Sequence, residues 1–300
     1  MQGLGALYLE LGRVQEAERV LQQALEIRED ALGKTRPALS LVLTDLGEVH
    51  RICARYAKAN GLLDRAVAIA EGASSSEGAQ LAMVLSTRGM LHCSRGLFRE
   101  AESDWTRALR IFETELGREH KYVGEVLTRL GALNRSLQRY SEAERMLKRS
   151  LAVLENAAGP GSWRLAAPLG RLGGVYAAQG DCAAAEPLFQ RSLAIADHAL
   201  GRSHPQYAAM LRNLADLRRT QKSWQEAERL YLETLAIAEK AYGPSHPTVA
   251  AYLSEYRCLL EATKRKKEAK EIAARIREIE LASSGSPGNH TVDVLALERR

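Results

Sequence analysis

The side chains able to do chemistry are present in this sequence but poorly assembled. His50, Cys53, His92 and Cys93 are the best metal candidates, since His50 and Cys53 share a helix face at i, i+3. His50 and His92, however, occupy a place in a recurring pattern that Tyr8 and Tyr176 hold elsewhere, so packing accounts for them. Asp45 and Glu48 form a carboxylate pair at i, i+3, yet no nucleophile accompanies them for acid–base work. His120, His204 and His246 each precede a helical segment at the same point of the pattern, and a repeated loop position argues for capping over catalysis. No phosphate loop, HExxH, GxSxG or GxGxxG occurs in a suitable context. The expectation is a protein that is not an enzyme and has no catalytic, metal or cofactor site.

Composition narrows the class further. Of 300 residues 46% are apolar and 26% charged, with Ala, Leu, Glu and Arg abundant, a balance that favours soluble helix. Forty-two basic against 37 acidic residues leave +5, which points weakly to an acidic partner and falls short of a nucleic-acid signature. Aromatic residues for base stacking are scarce, which also weighs against nucleic acid. Four scattered cysteines with no CxxC pair fit a reducing compartment, and there is neither a signal-peptide pattern nor an 18-residue apolar run, so the expected address is the cytoplasm.

What must position any functional side chain is a repeat. A small residue recurs at Ala17, Ala59, Ala101, Ala143, Ala185, Ala227 and Ala269, always 42 apart. Ile or Val keeps the same phase ten residues later, from Ile27 to Ile279. Twelve residues before each Ala stands another small residue: Gly5, Gly47, Gly89, Gly131, Gly173 and Ala215. Large residues follow the Ala by four, as Trp105, Phe189 and Tyr231, and small ones by seven, as Ala108, Ser192 and Thr234. Small residues let two antiparallel helices approach, and the large one wedges into the next pair.

This spacing resembles the tetratricopeptide repeat, and the 42-residue unit resembles the kinesin light chain type. The segments EAERLYLETLAIAEKAYGPSHP (226–247), AAAEPLFQRSLAIADHALGRSHP (183–205) and EAESDWTRALRIFETELGREH (from Glu100) carry the likeness, which covers about nine-tenths of the chain. The resemblance implies an all-α, right-handed superhelical solenoid of about fourteen helices, whose first helices line a concave groove for peptides. Kinesin light chain repeats carry a paired Asn in that helix. Here only RNLA approaches it, Asn213 matching the second Asn and Arg212 replacing the first, while the other repeats read TDLG, STRG, TRLG, GRLG and SEYR. Binding of motor cargo is therefore not carried over.

The groove that the resemblance implies is basic over its central and C-terminal part. Its slots hold Glu125, Thr128, Arg129, Ala132 and Arg135 in repeat four, Arg171 among Ala167, Gly170, Gly174 and Ala177 in repeat five, and Arg212, Asn213, Asp216 and Arg219 in repeat six. Arginine presents a planar fork suited to carboxylates. The expected function is a protein–protein interaction scaffold whose groove holds an extended, acidic peptide through Arg129, Arg135, Arg171, Arg212, Asn213 and Arg219. The competing readings are a regulatory or accessory subunit holding a catalytic partner and, with less support, a nucleic-acid-binding repeat protein.

The expected organisation is one repeat array over residues 1–282 and a flexible linker and tail over 283–300. Repeat one lacks the opening turn of its first helix, and repeat seven, with Lys264, Arg265, Lys266 and Lys267, reads as a solvated terminal cap. Gly201 and Gly243 suit helix ends with positive φ, and Pro205 and Pro247 suit the first turn that follows. The joints EGASSSEGAQ (71–80) and ENAAGPGSW (155–163) depart from that chemistry and read as looser, the first more than the second. Asp293 and Glu298 on the tail are candidate internal competitors for the groove.

Overall fold

The structure, a computed structural model, describes residues 2–33, 35–72 and 78–284. The joint at 73–77 and the tail with Asp293 and Glu298 lie outside the described residues. Fourteen helices and no strand occur among the described residues. They are α1 (Gln2–Glu10), α2 (Val14–Leu32), α3 (Ser40–Ile52), α4 (Tyr56–Glu71), α5 (Gly78–Ser94), α6 (Phe98–Glu115), α7 (Lys121–Ser136) and α8 (Tyr140–Ala158). The second half continues with α9 (Ala166–Ala178), α10 (Cys182–Leu200), α11 (Pro205–Thr220), α12 (Trp224–Tyr242), α13 (Pro247–Ala262) and α14 (Lys266–Ser284). Odd-numbered helices are the first and even-numbered the second of each pair. The chain divides into two compact units, one ending at Leu133 and one running from Asn134 to Gly285.

Within a pair, the recurring small and large residues meet. A Cβ on Gly89 would stand 2.5 Å from Trp105 Nε1, and one on Gly173 would stand 2.7 Å from Phe189 Cε1. The large residue of the second helix thus lies directly on the backbone of the first, which is why that slot tolerates only small residues. Between pairs, the second helix covers the next first helix: Ala143 and Leu147 of α8 cluster with Leu172 and Val175 of α9. Phe189, Tyr231 and Tyr256 belong to one continuous core across α10–α13.

The turn inside each pair repeats as faithfully as the core. Residues 12, 54, 96, 138, 180, 222 and 264 all have φ between 55° and 85°, although Ala54, Gln138, Lys222 and Lys264 are not glycine. The next amide donates to the carbonyl five residues back, as from Arg139 N to Asn134 O (2.8 Å), closing the helix end in the Schellman manner. At the joints between pairs, Gly201 and Gly243 take φ of 79° and 91°, and the His204 and His246 rings accept from Gln206 N and Thr248 N as caps.

The joint at 155–163 corrects the sequence expectation. Gly159, at φ 82°, stands in phase with Gly117, Gly201 and Gly243, and Ser162 Oγ accepts from Arg164 N at the start of a single 3-10 turn over Trp163–Leu165. The joint keeps the regular geometry with different residues. On the outer face, Arg65, Arg107, Arg191 and Arg275 each reach back to Glu29, Glu71, Glu155 and Glu239 on the preceding second helix, at 2.5–2.7 Å. Glu233 interrupts this series and pairs instead with Arg229 on its own helix.

Candidate functional site

First helices also contact each other, and their pairing follows an offset of 43 residues. In the first unit Gln2 Nε2 donates to Asp45 Oδ2 (3.3 Å), Arg51 Nη1 to Ser94 Oγ (3.3 Å) and Arg129 Nη1 to Ser86 Oγ (2.8 Å). In the second unit Arg212 Nη1 donates to Glu255 Oε1 (3.0 Å). Each slot is therefore read together with the slot one repeat and one residue further on.

On the first unit, the acids lie at α3 and the cation at α7. Glu48 accepts from both Nε and Nη2 of Arg51, each at 2.7 Å. Burial pushes the Asp45 carboxyl up to about 6, opposed by a long bond from Gln2 and by the charge of Arg28, with Glu48 adding to the rise. Arg129 is different. Its half-buried guanidinium has Ser86 Oγ as its hydrogen-bond partner and no carboxylate at salt-bridge distance among the described residues. Burial pulls it down from the ordinary arginine value, with Glu125 and Glu48 acting against that from further away.

On the second unit, α9 presents an exposed Arg171 beside an exposed Ala167, and Arg135 lies over the missing side chain of Gly174, one turn from Arg171. A Cβ on Gly174 would meet Arg135 Nη1 at 3.5 Å, so the glycine leaves the room that the guanidinium occupies. Gly170 is tighter: its Cβ would stand 3.0 Å from both Asn213 Nδ2 and Met210 Sδ on α11.

Repeat six holds its charges inside a network. Arg212 also donates to Asp216 Oδ2 (3.2 Å) and Asn213 Oδ1 (2.7 Å), Tyr231 Oη donates to Asp216 Oδ1 (2.5 Å), and Arg219 Nε donates to Tyr231 Oη (3.1 Å). Glu255 is buried, and its Oε2 has no hydrogen-bond partner. Burial pushes its carboxyl up to about 8, Arg212 opposing and Asp216 adding. Thus Arg212, Asn213 and Arg219, read from the sequence as free groove residues, are already engaged. Reversing Arg212 is consequently not neutral for stability. The signal was available: Glu255 follows Arg212 by 43.

The two histidines singled out as metal candidates stand beside carboxylates. His92 Nδ1 lies 3.2 Å from buried Asp104, which also accepts two bonds from Arg88, and His50 lies beside Glu18. Cys53 and Cys93 are half-buried thiols outside any disulfide.

Pairs of antiparallel helices stacked at a fixed 42-residue period define a helical repeat protein. The tetratricopeptide repeat family model matches residues 1–72, 80–156, 164–240 and 208–279. The chain belongs to the tetratricopeptide repeat family. Among solved structures it is similar to BtubC (BKLC) from P. vanneervenii, at 22% identity over 78% of this chain and 92% of that one, with a TM-score of 0.58. A putative kinesin light chain of nearly identical repeats from Podospora anserina matches at 22% identity over 68% and 97%, with a TM-score of 0.51. The Rap protein complexed with Competence and Sporulation Factor aligns over 94% of this chain and 76% of that one, at 14% identity and a TM-score of 0.71. These likenesses establish the fold. No curated protein matches the sequence.

Proposed function

We propose that this chain is a non-catalytic protein–protein interaction scaffold, working in the cytoplasm, that holds an extended acidic segment against its first helices. The observation that carries the reading is the contrast among its arginines. Arg171 is exposed on α9 beside exposed Ala167, and the Arg135 guanidinium packs over Gly174 one turn further on, so two cations present themselves along this helix. Arg129 is a desolvated cation with a single neutral partner, a state that an incoming carboxylate improves. The fold is one that other proteins use to hold a second chain, as Rap does in its solved complex. Arg212, Asn213 and Arg219 act in this reading as the frame beside the contact residues. A regulatory subunit that presents this face to a catalytic partner uses the same contacts.

The test is a fluorescent oligoglutamate peptide titrated into the intact protein at low salt. A charge-assisted contact contributes about 1.5–3 kcal/mol, or roughly tenfold to a hundredfold in affinity. Arg135→Glu with Arg171→Glu should therefore abolish binding, and Arg129→Glu alone should weaken it. Equal binding by parent and variants overturns the acidic reading.

A further inference from the structure

The slot that holds Arg129 runs through the first helices as Asp45, Thr87, Arg129, Arg171, Asn213 and Glu255, at intervals of 42. Its two acids are treated differently. Glu255 accepts from the guanidinium of Arg212, 43 residues before it, at 3.0 Å. Asp45, in the same relation to Gln2, receives only a neutral amide at 3.3 Å. Among the described residues no cation stands at salt-bridge distance from Asp45. Arg28 of α2 acts on it from further away while donating to Ala38 O at 2.7 Å, and Glu48, one turn on, is held by Arg51. Arg129 on α7 is the converse case, a cation whose bonded partner is the neutral Ser86 hydroxyl. The first unit thus carries an acid and a base in one slot, neither of them paired with an opposite charge of its own chain.

Both charges serve one surface. The charges of Glu48 and Arg51 on α3 reach Arg129 on α7, so side chains of these two helices converge over α5. Between them α5 presents Thr87, whose hydroxyl donates to Met83 O at 3.3 Å, with half-buried Met83 and Met90 one turn to either side. Methionine adapts its shape to what passes over it. A segment made only of acids meets a repelling carboxylate at Asp45. Packed helices stand about 8–10 Å apart, so the two steps from α3 to α7 span roughly 16–20 Å, the reach of about five or six extended residues. Resting on the acidic-segment reading above, we infer that the bound segment also carries one lysine or arginine, which Asp45 receives, about five or six residues from the acid that meets Arg129. Asp45 is then a specificity residue. It selects a segment with a basic residue near one end of its acidic run, and it fixes which way round that segment lies.

The probes are two fluorescent heptapeptides with blocked ends, one of seven glutamates and one with lysine in place of the first. Each is titrated into the intact protein at low salt. By net charge alone the all-glutamate peptide should bind a basic surface more tightly. Asp45 reverses that order, so the lysine peptide should bind the parent about threefold to tenfold more tightly. Asp45→Asn keeps an oxygen for Gln2 to donate to and should melt no lower than the parent. It should lose the preference and bind the all-glutamate peptide at least as well as the parent does. Arg129→Gln should weaken both peptides and keep their order. All-glutamate binding that equals or exceeds lysine-peptide binding in the parent overturns the inference and leaves the acidic reading standing. A preference that survives Asp45→Asn does the same. Binding of neither peptide overturns both.

Discussion

Repeats five and six place arginine in neighbouring slots of the same helix face, yet the two faces differ in what those cations do. On α9, Arg171 is exposed and its surroundings are glycine and alanine. On α11, Arg212 is bound by Glu255 and Asp216, and Arg219 by Tyr231. What separates them is one repeat away in sequence. Arg212 looks forward 43 residues to Glu255, while Gly170, its counterpart on α9, looks forward to Asn213.

The largest effect that breaks this contrast is charge reversal. Arg212→Glu sets a new carboxylate against Glu255 and Asp216 and leaves Glu255 buried without its cation. Measured above pH 8, where Glu255 is ionised, the expected cost is about 3–5 kcal/mol in urea unfolding. Arg171→Glu, on an exposed site, should stay within about 0.5 kcal/mol of the parent. Equal costs would show that the two faces are the same.

The next effect is pH dependence. Glu255 keeps its proton in the folded state up to about 8, whereas in the unfolded chain it titrates in the ordinary glutamate range. Between those limits the folded state binds more protons, so this group's contribution to stability falls as pH rises through the window. Glu255→Gln removes the carboxyl while leaving an amide oxygen to accept from Arg212. Its melting temperature should exceed the parent's most clearly above pH 8 and approach it near about pH 5. A gap that widens toward acid would contradict the assignment.

The smallest effect sharpens the floor of repeat five. Gly174→Ala places a Cβ at ordinary contact from Arg135 and should gain about 0.5–1 kcal/mol from helix propensity. Gly170→Ala meets Asn213 and Met210 at 3.0 Å and should lose most of that gain.

Much of this was legible because the repeat sets it locally. The slots of Gly89 and Trp105, the caps at His204 and His246, and the positive φ at Gly201 and Gly243 all follow from residues within a single repeat or its joint. Three things were not. Gly159 was hidden by a neighbouring proline and glycine, although its place in the 42-residue phase assigns it the helix-ending role. The engagement of Arg212 depends on how consecutive first helices face each other, an offset that no single repeat contains. Four non-glycine residues in left-handed turns, Ala54 among them, were also unmarked, because the turn geometry is imposed by packing on either side rather than by the residue.

The central claim is that Arg135 and Arg171, and not the network at Arg212, offer charge to a partner. The direct measurement is the affinity of oligoglutamate for the intact protein carrying Arg135→Glu and Arg171→Glu, taken beside its melting temperature. The account expects binding to fall by at least about tenfold with melting unchanged within a few degrees. Unchanged affinity, or a loss of affinity that appears only together with unfolding, contradicts it.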